Sequence, residues 1–272
     1  MYSVALEDEA DWVGWRRAAR HLLAAGIPPE AVTWHPPDTP AGLFAGPPPP
    51  APAGAPALAV PRDWLAMAER GIRHSDPERF ALLYALLWDA RAEPGLLRRP
   101  TEPRMQRLSA MARAVKRDAH KLHAFLRFRE IDTAEGPRSI AWFEPEHHIL
   151  EAEAGFFVRR FAILRWSILT PRRCAHWDGE AVTFAPGARR ADAPAFDAAE
   201  DLWRTYFASI FNPARLKPEA MRAEMPKKYW KNLPEASIIP QLMQGASGRV
   251  KVMMGQEFVE GRKQRGSHRQ EG

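Results

Sequence analysis

The chain has 272 residues, of which 46% are hydrophobic and 26% charged, a composition typical of a globular protein with a substantial packed core. No apolar run approaches the roughly 18 residues that a membrane span needs, and the acidic start of the chain is unlike a secretory signal, so we expect a cytoplasmic protein with no membrane contact. The net charge is +6, but residues 261–272 carry half of it, so contact with DNA would need a local basic patch.

The first 60 residues divide into a small structured unit and a proline-rich stretch. Residues 11–25 have the spacing of a helix, and residues 31–35 have the composition of a short strand. The unit formed by residues 1–35 is too small to be stable alone, so it should dock onto the rest of the chain. Residues 36–60 are rich in proline and alanine, which predicts an extended linker or a long surface loop.

Three helical patterns follow the linker. The first covers residues 61–73. The second begins at Asp76 and Pro77, which suit the N-cap and first helical position. The third and longest has an apolar stripe from Met105 to Leu122, with its lysines largely off that stripe.

The centre of the chain changes to the alternation typical of strands. We expect strands over residues 125–131, 139–143, 165–169, 174–177 and 181–184, a helix over 151–162 and a hairpin turn at Asp178 and Gly179. Helices return over 197–211, after Pro226 and over 235–244. This order predicts an α+β fold, mostly helical with a small central antiparallel sheet. Residues 61–244 would form the main domain, and residues 245–272 a disordered basic tail, either native or the altered end of a fused protein.

Two pairs of residues have the chemistry of metal ligands. His120 and His123 are three residues apart on the long helix, while Cys174 and His176 share one face of a strand. Zinc sites usually have tighter cysteine pairs, and Cys174 is the single cysteine, so we expect no metal and no cofactor. No third residue orients His176 against Cys174, which favours a half-buried structural thiol over a nucleophile.

The segment Glu144–Pro–Glu–His–His148 places carboxylates and imidazoles directly after a strand, where loops often hold catalytic groups. The catalytic candidates are Glu146, His147, His148, His123 and His176. The alternative is a polar turn whose side chains contact neighbouring backbone, because the spacing fixes no partner. P-loop, dinucleotide-binding, zincin and nucleophile-elbow motifs do not occur in the sequence.

Basic and aromatic residues recur together, a combination that can hold phosphates and stack on bases. The candidates for nucleic-acid binding are Arg127, Arg129, Arg172, Arg173, Lys227, Lys228, Trp230 and Lys231. For each residue alone, the alternative is a solvated face with Trp230 packed inward. The DNA hypothesis depends on these cations meeting in one place after folding.

Six blocks taken together resemble a known family: HKLHAFLRFRE at 120–130, WFEPEHHI at 142–149, FFVRRF at 156–161, the segment 166–179, LWRTYFASI at 202–210 and MPKKYWKNLPE at 225–235. The chain is similar here to a family assigned to DNA metabolism or DNA repair, whose own chemistry is not established. Its members are typically encoded beside a radical-SAM DNA-repair protein. In many bacteria the domain is fused to the amino terminus of an X-type member of the uracil-DNA-glycosylase superfamily, which binds uracil in DNA covalently.

The resemblance covers residues 1–244 and implies a process and partners, without transferring catalytic residues. It implies an accessory module that binds DNA, including uracil-containing DNA, or tethers the radical-SAM or glycosylase-type protein. Two other functions stay open from the residues: an enzyme acting on modified nucleotides or DNA through the histidine and glutamate cluster, and a protein-interaction domain.

Overall fold

The computed structural model describes residues 1–37, 47, 58–133, 136–193, 227–230, 233 and 236, and its amino-terminal unit is a β-α-β arrangement. Strand β1 (Tyr2–Ala5) pairs in parallel with β2 (Val32–His35), and helix α1 (Trp12–Ala24) connects them. Helix α1 begins after Asp11, whose Oδ1 accepts a hydrogen bond from the Gly14 N–H at 2.7 Å. The sequence indicated α1 and β2 but not β1, because four residues carry too little pattern.

Three helices follow the linker: α2 (Arg62–Gly71), α3 (Arg79–Asp89) and α4 (Pro103–Phe125). The predicted start of α3 at Asp76 and Pro77 is wrong by two residues. The Asp76 carboxylate instead closes a turn by accepting a hydrogen bond from the Glu78 N–H at 2.9 Å, and the helix begins after it. The strand expected over 125–131 is also shorter, because α4 continues through Phe125, whose ring stacks on Tyr229 at 5.6 Å.

The sheet of the second half has the strand order β3-β4-β5-β6-β7. Its strands are β3 (Arg129–Thr133), β4 (Gly136–Trp142), β5 (Trp166–Leu169), β6 (Arg173–Trp177) and β7 (Val182–Pro186). The sheet is mixed, which corrects the expected antiparallel sheet at one pair. Strands β4 and β5 are parallel because helix α5 (Leu150–Arg160) carries the chain back between them. The hairpin at Asp178 and Gly179 is confirmed, with Gly179 at φ +109°.

Two hydrophobic clusters make up most of the core, and α4 belongs to both. The first, which we call the helical layer, joins the amino-terminal unit and α2–α3 to the first half of α4, including Leu108. The second, the sheet layer, joins the rest of α4 to α5, one face of the sheet, and Tyr229 and Leu233. Tyr229 stacks on Phe143 at 5.1 Å, which brings a segment from much later in the chain onto this core.

Helices beside a small sheet confirm the α+β class. Of the short helix expected after Pro226, the structure describes Lys227–Trp230. The helices expected over 197–211 and 235–244 and the tail at 245–272 lie outside the described residues. None of the described helices is both long enough and apolar enough to cross a bilayer.

Candidate functional site

A cleft of about 870 Å³ lies where the amino-terminal unit meets the sheet. Its walls come from residues 7–10 and 36–37, the turn at 73–79, the loop and helix start at 145–152, the β5–β6 turn at 170–173, and Pro186. We call it the histidine cleft. The polar side chains used below are Glu9, Ser75, Arg79, His147, His148 and Arg172. A large concave site with converging polar groups is the natural candidate for ligand binding.

One buried carboxylate fixes the loop that carries the two histidines. Asp118, on α4, is 2% exposed, and its Oδ2 accepts hydrogen bonds from the backbone N–H groups of Glu146 at 2.8 Å and His147 at 2.9 Å. The Tyr229 hydroxyl donates to Asp118 Oδ1 at 3.4 Å. Charge-assisted bonds of this kind hold the loop in one conformation. The backbone at 146–147 is therefore tied to the long helix before any ligand arrives.

His147 is buried and oriented by the turn before α3. Its Nδ1 accepts a hydrogen bond from the Ser75 N–H at 3.2 Å and lies 3.2 Å from the Ser75 hydroxyl. Because Nδ1 is an acceptor, this bond assigns the proton of the neutral ring to Nε2. The His74 ring packs beside it, with centroids 4.2 Å apart. A hydroxyl within reach of an imidazole nitrogen is also the geometry that a general base needs.

The floor of the cleft contains a buried ion pair. Arg79 is 2% exposed, and its Nη2 donates to the Glu9 carboxylate at 2.8 Å and to the Glu9 carbonyl at 2.6 Å. Its Nη1 donates to the Asp76 carbonyl at 3.0 Å. Its Nε is buried and has no hydrogen-bond partner among the described residues. Glu9 therefore neutralises Arg79 and ties the amino-terminal unit to the start of α3.

His148 is neutral at physiological pH. Burial lowers its pKa from the usual 6.5 to about 3, and the nearby Arg79 and Arg172 guanidinium groups act in the same direction. Its Nε2 lies 3.6 Å from Glu9, but because the neutral ring carries a single proton this contact is not an ion pair. Burial also lowers the pKa of His74. The cleft thus presents uncharged imidazoles beside arginine.

Arg172 is the exposed cation of the cleft. Its Nη1 donates to the Glu146 carbonyl at 3.2 Å. The other lining arginines are paired: Arg73 with Glu69, Arg79 with Glu9 and Arg173 with Glu151. In the described part of the chain, Arg172 has no carboxylate within ion-pair distance. Its charge is therefore available to an anionic ligand.

The catalytic candidates do not all meet. Glu146, His147 and His148 share one loop, and both histidines line the cleft, while the Arg172 guanidinium contacts the Glu146 carbonyl. His123 lies elsewhere, stacked on Phe156 at 3.9 Å and bonded to Glu153 at 2.9 Å. His176 lies on the sheet, where its Nδ1 is 2.9 Å from the Ser167 hydroxyl. Neither His123 nor His176 lines the cleft.

The predicted basic surface is also divided. Arg129 begins β3 at one edge of the sheet, whereas Arg173 begins β6, three strand spacings or about 14 Å away. Arg127 donates to the carbonyls of Ala124 and Leu126 at the end of α4. Arg173 pairs with Glu151 at 2.6 Å.

The short helix contributes one described cation to this set. Lys227 is exposed, and Trp230 is half-buried against the sheet layer instead of standing free to stack on a base. The Lys228 side chain and Lys231 lie outside the described residues. Of the predicted basic residues, Arg172 and Arg173 line the cleft.

Sequence reasoning missed Glu9, His74, Ser75 and Arg79. One signal was present: Arg79 is a charged residue at the start of an otherwise apolar helix, an arrangement that commonly has a buried partner. Its partner, Glu9, is 70 residues away in the chain, and nothing in the spacing connects them. Within the described ranges, no three His, Cys, Asp or Glu side chains are grouped to hold a metal ion. Cys174 is buried as a free thiol.

Residues 77–235 match a family described as a domain of unknown function, DUF4130. No curated protein and no solved structure gives a significant match to the chain. The matched segment includes Arg79, Asp118, His147 and Arg172, while Glu9 and Ser75 precede it. Because the match covers more than half of the 272 residues, the chain belongs to the DUF4130 family.

Proposed function

We propose that this protein is a cytoplasmic accessory protein of DNA metabolism or DNA repair that binds nucleic acid in the histidine cleft. The observation that carries the proposal is the Arg172 guanidinium, an exposed cation at the cleft with no carboxylate partner among the described residues. A phosphate can take two parallel hydrogen bonds from one guanidinium, which a neutral donor cannot match. The assignment to DNA metabolism comes from the resemblance of the sequence blocks.

The surroundings of Arg172 favour a phosphate over other anions. His148 lines the cleft and is neutral, so it offers a ring nitrogen without adding charge. The prolines Pro36, Pro37, Pro77 and Pro145 line the same cleft and offer apolar surface to a sugar or base. The opposite wall carries Glu7 and Asp8, which would repel a second phosphate. We therefore expect weak binding through few phosphates, instead of a duplex lying across a broad basic face.

The test is fluorescence anisotropy with labelled single-stranded and double-stranded DNA over a series of salt concentrations. Affinity should fall with salt, with a logarithmic slope of about −0.7 for each phosphate contacted on a single strand. Arg172→Ala should weaken binding about tenfold, since it removes one charge-assisted contact. The matched control is Arg113→Ala, which removes an exposed arginine of α4 away from the cleft.

Equal affinity in the Arg172→Ala and Arg113→Ala variants would reject the cleft as the nucleic-acid site. Salt-independent binding, or none, would reject nucleic-acid binding itself.

A second experiment tests the partners that the resemblance implies. Immobilised protein should retain the neighbouring radical-SAM protein or a glycosylase-type protein, and uracil-containing DNA should increase retention of the latter. Retention of neither protein, with or without that DNA, would reject the tethering function.

The second candidate is an enzyme acting on modified nucleotides or DNA. It rests on the 3.2 Å separation between the Ser75 hydroxyl and His147 Nδ1 within the cleft. Nδ1 also accepts the Ser75 N–H, which is the geometry of a structural turn and argues against a free base. Mass spectrometry of a modified-nucleotide pool after incubation with the protein would decide. Conversion that persists in Ser75→Ala, or no conversion by the natural sequence, would reject this assignment.

A further inference from the structure

A second concavity of about 480 Å³ lies at the start of α2. It is lined by Pro61, Arg62, Asp63, Trp64, Leu97 and Arg98. None of these residues lines the histidine cleft. We call it the Arg62–Arg98 pocket. The two arginines come from different elements, α2 and the 3₁₀ turn Leu96–Arg98.

Both arginines of this pocket are exposed, and neither guanidinium has a hydrogen bond, ion pair or ring contact among the described residues. Nearby Arg99 and Arg104 pair with Glu93 and Asp89. Two unpaired cations facing one concavity repel each other, and an anion placed between them removes that repulsion.

The pocket also offers uncharged donors. Helix α2 begins after Pro61, which supplies no side-chain cap, and the first intrahelical bond is made by the Leu65 N–H. The preceding N–H groups at the start of the helix therefore lack intrahelical acceptors. Backbone donors and cations that meet in one place are what an oxyanion requires.

We propose that the Arg62–Arg98 pocket binds the phosphate group of a phosphorylated ligand, with the two guanidinium groups as its main contacts. The carboxylate of Asp63 lines the same pocket and has no partner in the described part of the chain. An anion without a hydroxyl group would gain no hydrogen bond from the Asp63 carboxylate. A phosphate ester with a neighbouring hydroxyl would satisfy it, because the hydroxyl donates to the carboxylate while the phosphate accepts from the arginines. The expected ligand class is therefore a sugar phosphate or nucleotide.

The test is isothermal titration of the full chain at constant ionic strength with inorganic phosphate and with thymidine 5′-monophosphate. Saturable binding is expected, with the nucleotide binding more tightly than inorganic phosphate. Arg62→Ala and Arg98→Ala should each weaken both ligands about tenfold. Arg20→Ala, which removes an exposed arginine of α1, should leave both affinities unchanged.

Single-stranded oligonucleotides with and without a 5′-phosphate identify the source of the phosphate. A 5′-phosphate that tightens binding in the natural sequence, and does not do so in Arg62→Ala, points to a nucleic-acid end. Binding of thymidine monophosphate alone points to a small phosphorylated ligand. Absence of saturable binding overturns the proposal. So does a result in which Arg172→Ala loses binding while Arg62→Ala and Arg98→Ala bind as tightly as the natural sequence. The histidine cleft is tested by Arg172→Ala and this pocket by Arg62→Ala and Arg98→Ala, so failure of one proposal can be told from failure of the other.

Discussion

The helical layer and the sheet layer are held together in different ways. In the helical layer, two buried polar side chains make single neutral bonds to backbone: Tyr84 to the Ile27 carbonyl at 2.6 Å and Trp15 to the Phe80 carbonyl at 3.3 Å. In the sheet layer, a buried carboxylate on α4 takes two backbone bonds from a loop and one from a tyrosine 111 residues away. The charged contacts of the helical layer, Asp11 with Gly14 and Arg79 with Glu9, lie at the starts of helices, whereas the sheet layer depends on one charged anchor that fixes a loop.

The histidine cleft lies where the two layers meet, so it depends on both. The helical layer supplies Ser75 and Arg79, and the sheet layer supplies the loop at 146–148 and Arg172. The Ser75–His147 bond joins the two layers across 72 residues, and the Glu9–Arg79 pair joins two parts of the helical layer across 70 residues. Small displacement of one layer against the other would change the cleft without unfolding either. Substitutions that act on one layer at a time therefore test how the cleft is supported.

The largest effect should come from the charged anchor of the sheet layer. Asp118→Ala leaves the N–H groups of Glu146 and His147 without their acceptor, and each unsatisfied buried donor costs about 1–3 kcal/mol. We expect a loss of about 4 kcal/mol in the free energy of unfolding, measured by urea denaturation. Hydrogen exchange at the amides of residues 146 and 147 should accelerate before that of the helical layer.

Asp118→Asn is the control for this prediction, because it keeps one carbonyl acceptor and nearly the same volume. It should lose roughly half as much stability. If Asp118→Ala loses less than about 1 kcal/mol, the loop is held mainly by its other contacts and the contrast between the layers disappears. If exchange accelerates equally in both layers, the two clusters unfold as a single unit.

A second and smaller effect should appear on acidification, at the junction of the layers. Burial and the neighbouring arginines hold the pKa of His148 at about 3 in the folded protein, whereas the unfolded chain takes up a proton below about pH 6.5. The unfolded state binds more protons between these values, so stability is full above pH 6.5 and falls as pH falls toward 3. At pH 5 the loss should be about 2 kcal/mol.

Urea midpoints between pH 7.5 and 5 would measure this loss, and His148→Gln should remove most of it. The pKa values of His74 and His176 are also lowered, so both residues act in the same direction and leave a residual slope. His176→Gln is the matched control, since it removes a titrating histidine that does not line the cleft. A stability that rises on acidification, or an unchanged slope in His148→Gln, would show that His148 is protonated in the folded state.

The difference between contacts within one segment and contacts between distant segments explains how much of the structure the sequence could predict. Helices α1 to α4 follow from the spacing of apolar side chains within each segment, and the hairpin at Asp178 follows from its turn chemistry. Strand β1 and the parallel pairing of β4 with β5 depend on partners elsewhere in the chain, which local pattern does not contain. The loop at 146–148 was indicated by its composition. The sequence did not indicate that Asp118, Ser75 and Glu9 contact this loop, because only the tertiary fold brings them together.

The smallest predicted effect comes from a glycine-to-alanine substitution made once in each layer. Glycine to alanine within a helix normally stabilises by about 0.5–1 kcal/mol, because the unfolded chain loses freedom. Gly155 on α5 has room for a methyl group, with Arg159 Nη1 at 3.4 Å from the new Cβ, so Gly155→Ala should stabilise by about that amount.

Gly71 at the end of α2 has no such room. A Cβ there would meet Leu108 Cδ1 at 2.5 Å, and Leu108, on α4, is fully buried, so its side chain has nowhere to move. The cost of overpacking, typically 1–3 kcal/mol, exceeds the gain in helix propensity, so Gly71→Ala should destabilise by about 1 kcal/mol net. Urea denaturation of both variants measures the difference. If Gly71→Ala also stabilises, the α2–α4 contact is loose, and packing does not hold the helical layer as tightly as the comparison requires.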